Sequence, residues 1–280
     1  MNVFTDSIYN TFNLGLSMIN IENLALELDK YDIFEGMTSI SAVIKSISQN
    51  LSNRKILAVL YDRDREDKKS REIAFIKRCS ADMGFDVLPV TCERLSELTS
   101  GETHGGIVAI CSKRAFNGNF VNKLTNTSFF ALIDGIEDPY NFAYSIRSLY
   151  AAGADGIILP PRNWMDYSGT VARSSAGTSE LADIYVCDTL EAVKTFKDAG
   201  FKIVCASIRD SVSIYEYDFN SPTLLIVGGE KRGISRKLLE LSDANVRIEY
   251  GREFMGSLPS ASAVSVIAFE IARQKAQYNK

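Results

Sequence analysis

With 280 residues, 46% of them hydrophobic, the chain has enough apolar material for complete cores, and typical domain sizes suggest two domains. A net charge of −4 argues against a protein that coats nucleic acid nonspecifically, because such affinity comes from neutralising phosphates, so any nucleic-acid contact has to be local. The single histidine, His104, excludes a multi-histidine metal site, and the scattered cysteines, with no CxxC pair, indicate neither zinc nor a disulfide framework; no metal is expected.

The start Met1-Asn2-Val3-Phe4-Thr5-Asp6 lacks the basic-then-apolar pattern of a signal peptide, and no apolar run is long enough to span a bilayer, so a soluble cytoplasmic protein with no membrane partner is expected. Residues 1–34 carry Leu14, Met18, Ile21, Leu24 and Leu28 at helical spacing and read as an N-terminal helical extension ending at Glu35-Gly36. Thr38 or Ser39 is suited to cap the next helix, whose apolar stripe is Ile40, Val43, Ile44 and Ile47.

Strand-like apolar runs at 55–61, 85–90 and 106–111 then alternate with helical segments near 66–83 and 93–99, the pattern of an α/β layer fold. The basic residues between Arg63 and Arg78 are interleaved with acids, so ion pairing on a solvated helix explains them as well as RNA binding does. The polar stretch Asn117–Thr127 reads as the linker between domains.

Beyond it, Phe129–Asp134 is a strand, and Asp138-Pro139 is an N-cap followed by proline at the first helical position. Further strands are expected at 156–159, 202–205, 223–227 and 245–248, and a long helix from Leu258 to Tyr278. No Rossmann glycine motif or P-loop follows any of these strands. A different glycine loop, Val227-Gly228-Gly229-Glu230-Lys231-Arg232-Gly233-Ile234-Ser235, leaves a strand and enters a helix, the place where α/β proteins bind ligands.

Three segments carry a resemblance. Asp134-Gly135-Ile136-Glu137-Asp138-Pro139-Tyr140-Asn141 with Arg147, Gly228-Gly229-Glu230-Lys231-Arg232-Gly233, and Ser257-Leu258-Pro259-Ser260-Ala261-Ser262-Ala263 resemble, in order and spacing, the three motifs of the SpoU (TrmH-like) RNA ribose 2′-O-methyltransferases. Ser174–Thr178 is similar to another family segment, and Glu35-Gly36 and Thr103–Ala109 resemble the two ends of the family's accessory substrate-binding domain. The resemblance implies an N-terminal extension over 1–34, an α/β RNA-binding domain over 35–116, and a catalytic domain over 127–280. That catalytic domain would be a parallel-sheet α/β fold closed by a trefoil knot. It also implies S-adenosylmethionine as cofactor, RNA as substrate, with ribosomal RNA expected ahead of transfer RNA, and a homodimer with the final helix in the interface.

Carried over position by position, the cofactor site uses main-chain groups near Gly228, Ile248 and Leu258, with Gly229 allowing close approach. The catalytic candidates are Arg147, Asn141, Glu230 and Ser257. Arg147 interrupts an apolar helix stretch and is expected to position an RNA phosphate rather than remove a proton, since a guanidinium stays charged. For Asn141 the alternative is a helix-start hydrogen-bonding role, while Glu230 reads equally as a structural loop residue or as a partner of the cofactor or Arg147. Two features depart from the family: Pro259 stands where asparagine is usual, with Ser257 able to cap the final helix, and Ile248-Glu249-Tyr250-Gly251-Arg252 is longer than usual. Three readings follow: an active ribose methyltransferase, an RNA-binding relative that keeps the fold without efficient catalysis, and an enzyme that modifies a small molecule or another nucleotide group.

Overall fold

The computed structural model describes residues 28–99, 104–161 and 167–278, which fall in two compact units, one of the described residues up to Ile44 with those of 54–113, the other of Lys45–Asn53 with the described residues from Arg114 on. Most of the expected N-terminal extension lies outside the described residues.

The first unit is built on a four-stranded sheet in the order β1-β4-β2-β3, from β1 (Tyr31–Glu35), β2 (Ile56–Asp62), β3 (Asp86–Val90) and β4 (Ile107–Ser112). β4 runs antiparallel to both neighbours, and β2 and β3 are parallel. Residues 31–34, assigned by spacing to the helical extension, are therefore a strand: Phe34 is fully buried and Tyr31 to Glu35 pair along β4. The α-helices here are α1 (Gly36–Ser48), which runs on past Ile44, α2 (Ser70–Met83) and α3 (Cys92–Leu98), with short 3-10 turns at Leu28–Lys30 and Arg63–Arg65. Since α1 already starts at Gly36, Thr38 and Ser39 lie inside it rather than capping it.

Asp32 and Arg54 form a buried ion pair, and the Arg54 guanidinium lies over the Phe34 ring. The basic run around α2 is paired with its neighbours, Arg65 to Asp62 at 3.2 Å, Lys69 to Glu72 at 3.2 Å and Lys77 to Glu66 at 3.7 Å. His104 is buried; its Nδ1 accepts from the Gly106 amide at 3.1 Å, so it holds the turn into β4.

The second unit is a seven-stranded parallel sheet, order β7-β6-β5-β10-β8-β11-β9. Its strands are β5 (Phe129–Asp134), β6 (Gly156–Leu159), β7 (Ile184–Val186), β8 (Lys202–Ala206), β9 (Ser211–Ser213), β10 (Thr223–Gly228) and β11 (Ala244–Arg247). The central strands β5 and β10 are buried at all but their last residue, as expected when helices cover both faces. The helices are α4 (Pro139–Ala151), α5 (Ser168–Ser174), α6 (Thr178–Leu181), α7 (Thr189–Asp198), α8 (Arg236–Leu239) and α9 (Ser260–Tyr278).

The stretch expected to be a linker is instead part of this unit. Asn117 bridges to Tyr185, and Phe120 is buried with its ring stacked on Phe196, centroids 4.6 Å apart. Its polar composition concealed one aromatic anchor. Arg114, also buried, donates to the carbonyls of Ser179 and Ala182 at 2.9 and 3.3 Å.

Chain order and sheet order part company at two strands. β10 lies between β5 and β8, and β11 between β8 and β9, so each is inserted between strands that precede it in the chain. The carboxyl ends of β8, β10 and β11 therefore lie side by side.

Candidate functional site

A cavity of about 580 Å³ opens at those carboxyl ends. Its walls come from Ala206–Ile208 after β8, Val227–Glu230 after β10, Val246–Tyr250 at the end of β11, and Ser257, Leu258, Ser260, Ala263 and Ile267 around the start of α9. The position is the one where parallel sheets expose backbone groups to ligands, and the volume falls in the usual range for small-molecule sites.

The floor is built by close backbone approach. A Cβ on Gly228 would sit 2.2 Å from the carbonyl carbon of Gly233, and one on Gly229 would sit 1.8 Å from the carbonyl oxygen of Gly135. Only hydrogen fits at either place. Around them the main chain is tied down: the Gly229 amide donates to Asp134 O at 3.1 Å, Gly233 N to Gly229 O at 2.9 Å, and Ser235 N to the Asp134 carboxylate at 2.9 Å. Ser260 Oγ donates to Gly228 O at 3.2 Å, fastening the start of α9 to the end of β10. Cys205 ends just before the cavity wall; burial pushes its thiol up to about 12, so it is a core residue and not a thiolate nucleophile.

All four cofactor candidates, Gly228, Gly229, Ile248 and Leu258, line this one cavity. Of the catalytic candidates, Glu230 and Ser257 line it too, and Glu230 also borders a second cavity of about 530 Å³ together with Asp134, Gly135, Lys231 and Arg232. Asn141 is joined to them through Glu230: its Nδ2 donates to Glu230 Oε1 at 3.0 Å. The local sequence makes this possible. Asp138 caps α4 by accepting from the Tyr140 and Asn141 amides at 3.1 and 2.8 Å, which places the Asn141 side chain at the mouth of the helix.

Arg147 stands apart. It lies on the exposed side of α4, on the stripe that carries the exposed Tyr140 and Tyr144, while Phe142, Ala143, Ile146 and Leu149 face the core. Arg147 therefore does not interrupt the apolar face, because it is one position, about 100°, beyond Ile146. Among the described residues no hydrogen bond or ion pair links it to Glu230, whose partner is Asn141.

The expected capping of α9 by Ser257 is also corrected. The amide of Ala263 donates to the carbonyl of Pro259 at 3.0 Å, which makes Pro259 the cap residue itself, with Ser257 two positions outside. Ala206–Ile208 have no place in the sequence-based site, and Ser260 and Tyr250, though inside the segments singled out there, have no role in it. Lying just after a strand that the sequence does show, Ala206–Ile208 could have been found from position alone.

The geometry has known counterparts. Over 253 residues, 89% of this chain and 99% of the relative, the chain is 25% identical to the 23S rRNA (guanosine-2′-O-)-methyltransferase RlmB of Shewanella oneidensis. The SpoU methyltransferase AviRb from Streptomyces viridochromogenes, solved in complex with the cofactor AdoMet, shares the fold, with a TM-score of 0.73 at 24% identity over 92% of this chain and 95% of that one. An AdoMet-bound rRNA methyltransferase from Sinorhizobium meliloti superimposes with a TM-score of 0.72 at 22% identity, covering 92% of this chain and 97% of that one. The model of the SpoU rRNA methylase family matches residues 128–269, from the start of β5 into α9, and the chain belongs to that family.

Proposed function

We propose that the chain transfers a methyl group from S-adenosylmethionine to a ribose 2′-hydroxyl of structured RNA, ribosomal RNA ahead of transfer RNA, in the cytoplasm. The observation that carries this is the cavity at the ends of β8, β10 and β11, sharing Glu230 and Gly233 with a second cavity that holds Lys231 and Arg232. Two adjoining cavities with a common wall suit a donor and an acceptor brought together for one transfer.

The residues present fit S-adenosylmethionine. Ile234, Ile248, Leu258 and Ile267 give the cavity an apolar lining for a planar base, and the glycine floor exposes main-chain groups to its polar edges. When bound there, S-adenosylmethionine supplies a methyl already activated on a sulfonium sulfur. The chain therefore has to position more than to deprotonate, and the attacking hydroxyl can release its proton late to phosphate or water. Asn141 donates to Glu230, which borders both cavities, and so holds that carboxylate in place. The second cavity carries four carboxylates, Asp134, Glu137, Asp138 and Glu230, so contact with RNA phosphates there falls to the exposed Lys231 and Arg232, with the exposed Arg147 adding a third cation from α4.

The same reading makes the unit containing Arg54–Lys113 the accessory RNA-binding domain, placed by the resemblance over 35–116, and the remainder from 127 the catalytic domain. A trefoil knot in the latter is supported by the insertion of β10 and β11 between earlier strands. A homodimer is supported by exposed Tyr140, Tyr144 and Phe269 on α4 and α9, two helices joined by the Ser148–Ser265 hydroxyl pair at 2.6 Å. A second reading, a relative that binds RNA and cofactor without efficient transfer, draws on Pro259, which offers no side-chain group at the start of α9. Incubation of RNA with the protein and methyl-labelled S-adenosylmethionine, then digestion to nucleosides, tests the proposal. Label on 2′-O-methylnucleosides is expected, and label confined to bases overturns the ribose assignment.

A further inference from the structure

The wall of the first cavity contains a long excursion, residues 248–259, between the end of β11 and the cap of α9. Only its two ends reach the cavity, Ile248–Tyr250 at one side and Ser257-Leu258 at the other. Its middle points away, with Phe254 and Met255 exposed. Such a loop has to be closed at its neck if its ends are to present a fixed surface. Neither end is closed by the helix that follows, since Pro259 stands at the cap of α9 and has neither an amide hydrogen nor a polar side chain to cross the neck.

The neck is instead closed by Tyr250, whose hydroxyl accepts a hydrogen bond from the Leu258 amide at 3.1 Å. The Tyr250 ring is braced from the loop's middle by Phe254, edge-on with centroids 5.7 Å apart. Phe254 is seated on Gly256, where a Cβ would meet its ring at 2.6 Å.

We infer that Tyr250 is a positioning residue for the methyl donor, closing the cofactor loop through its hydroxyl where a side chain at position 259 cannot. The inference rests on the reading of this cavity as the S-adenosylmethionine site. Tyr250 does not act on the methyl or on RNA; it fixes Leu258 and Ile248 at the separation a bound cofactor needs. Without the hydroxyl the neck opens, and the ordering of the loop has to be supplied at the moment of binding.

Tyr250→Phe removes the hydroxyl and keeps the ring against Phe254. Titration calorimetry with S-adenosylmethionine alone should give a Kd raised about three- to tenfold, the range expected for one hydrogen bond, with kcat at saturating cofactor unchanged and the melting temperature of the free protein lowered by no more than a few degrees. Adding Pro259→Asn to this variant, which provides a side-chain amide at the neck, should recover part of the lost affinity. An unchanged Kd in Tyr250→Phe, against wild-type protein that binds, overturns the inference and leaves the proposed function standing. A fall in melting temperature and kcat as large as the loss in affinity assigns Tyr250 a general structural role and overturns it as well. Failure of the wild-type protein to bind S-adenosylmethionine at all overturns the reading of the cavity, and the inference with it.

Discussion

Gly229, after β10, and Gly251, in the loop after β11, tolerate a methyl group very differently. At Gly229 the added carbon would overlap the carbonyl of Gly135, a main-chain group that cannot swing aside, whereas at Gly251 it would meet nothing within 4 Å. Gly229→Ala is thus expected to cost on the order of 1–3 kcal/mol of stability and most of the affinity for S-adenosylmethionine, while Gly251→Ala leaves both near wild type. Thermal melts with and without cofactor decide it. The glycine loop is legible in the sequence because strand-glycine-helix is a positional signal. The setting of Arg147 is not, because it depends on which side of α4 meets the sheet. The tyrosines at 140 and 144, spaced with Arg147 along one stripe, carry that information.

At the level of elements, long periodic or uniformly apolar segments are readable and short ones are not. The start of α4, with Asp138 and Pro139, and strands β5 and β6 stand where the residues indicate. β7 and β9 have three residues each, too few to show any period, and are defined by their neighbours in the sheet. The segment taken for a linker shows the opposite failure, polar composition around one decisive residue. Phe120→Ala should destabilise the second unit by about 3–5 kcal/mol, since it empties a site between Phe130, Tyr185 and Phe196. Chemical denaturation followed by tyrosine fluorescence measures it.

α9 makes a further prediction about pH. Buried Glu270 accepts from Arg273 at 2.7 and 2.8 Å and from Gln274 at 2.7 Å, and Gln274 in turn binds the backbone of Tyr217 and Phe219. Hydrogen bonds from Arg273, and then Gln274, hold the Glu270 carboxyl below its ordinary value of 4.5, against the upward pull of burial. Its contribution is complete above that value and fades as pH falls through the lowered one. The stability gap between wild type and Glu270→Gln, measured by thermal melts, should be constant near neutrality and shrink below about pH 4.5. A gap that widens with acidification contradicts the assignment.

For the molecule as a whole, alternation of strands and helices indicates an α/β protein, but the order β7-β6-β5-β10-β8-β11-β9 is set by pairings between residues far apart in the chain. No local pattern in Thr223–Gly228 says that it slots between β5 and β8. The site inherits this limit: its residues are readable as three motifs by resemblance, while their convergence at three adjacent strand ends is a property of the sheet. Among the described residues no helix is long and apolar enough to cross a membrane, and no group of three or more histidine, cysteine or acidic side chains could hold a metal. What the sheet order creates is a cavity at three adjacent strand ends that shares Glu230 and Gly233 with a second one.

The most direct test is transfer of labelled methyl from S-adenosylmethionine to total RNA from cells lacking this protein, followed by mapping of ribose methylation, with Arg147→Ala alongside. The account predicts label at a single 2′-O position, absent with Arg147→Ala although that variant binds the cofactor within a few fold of wild type. Wild-type protein that binds S-adenosylmethionine yet labels no RNA, or full transfer by Arg147→Ala, would contradict it.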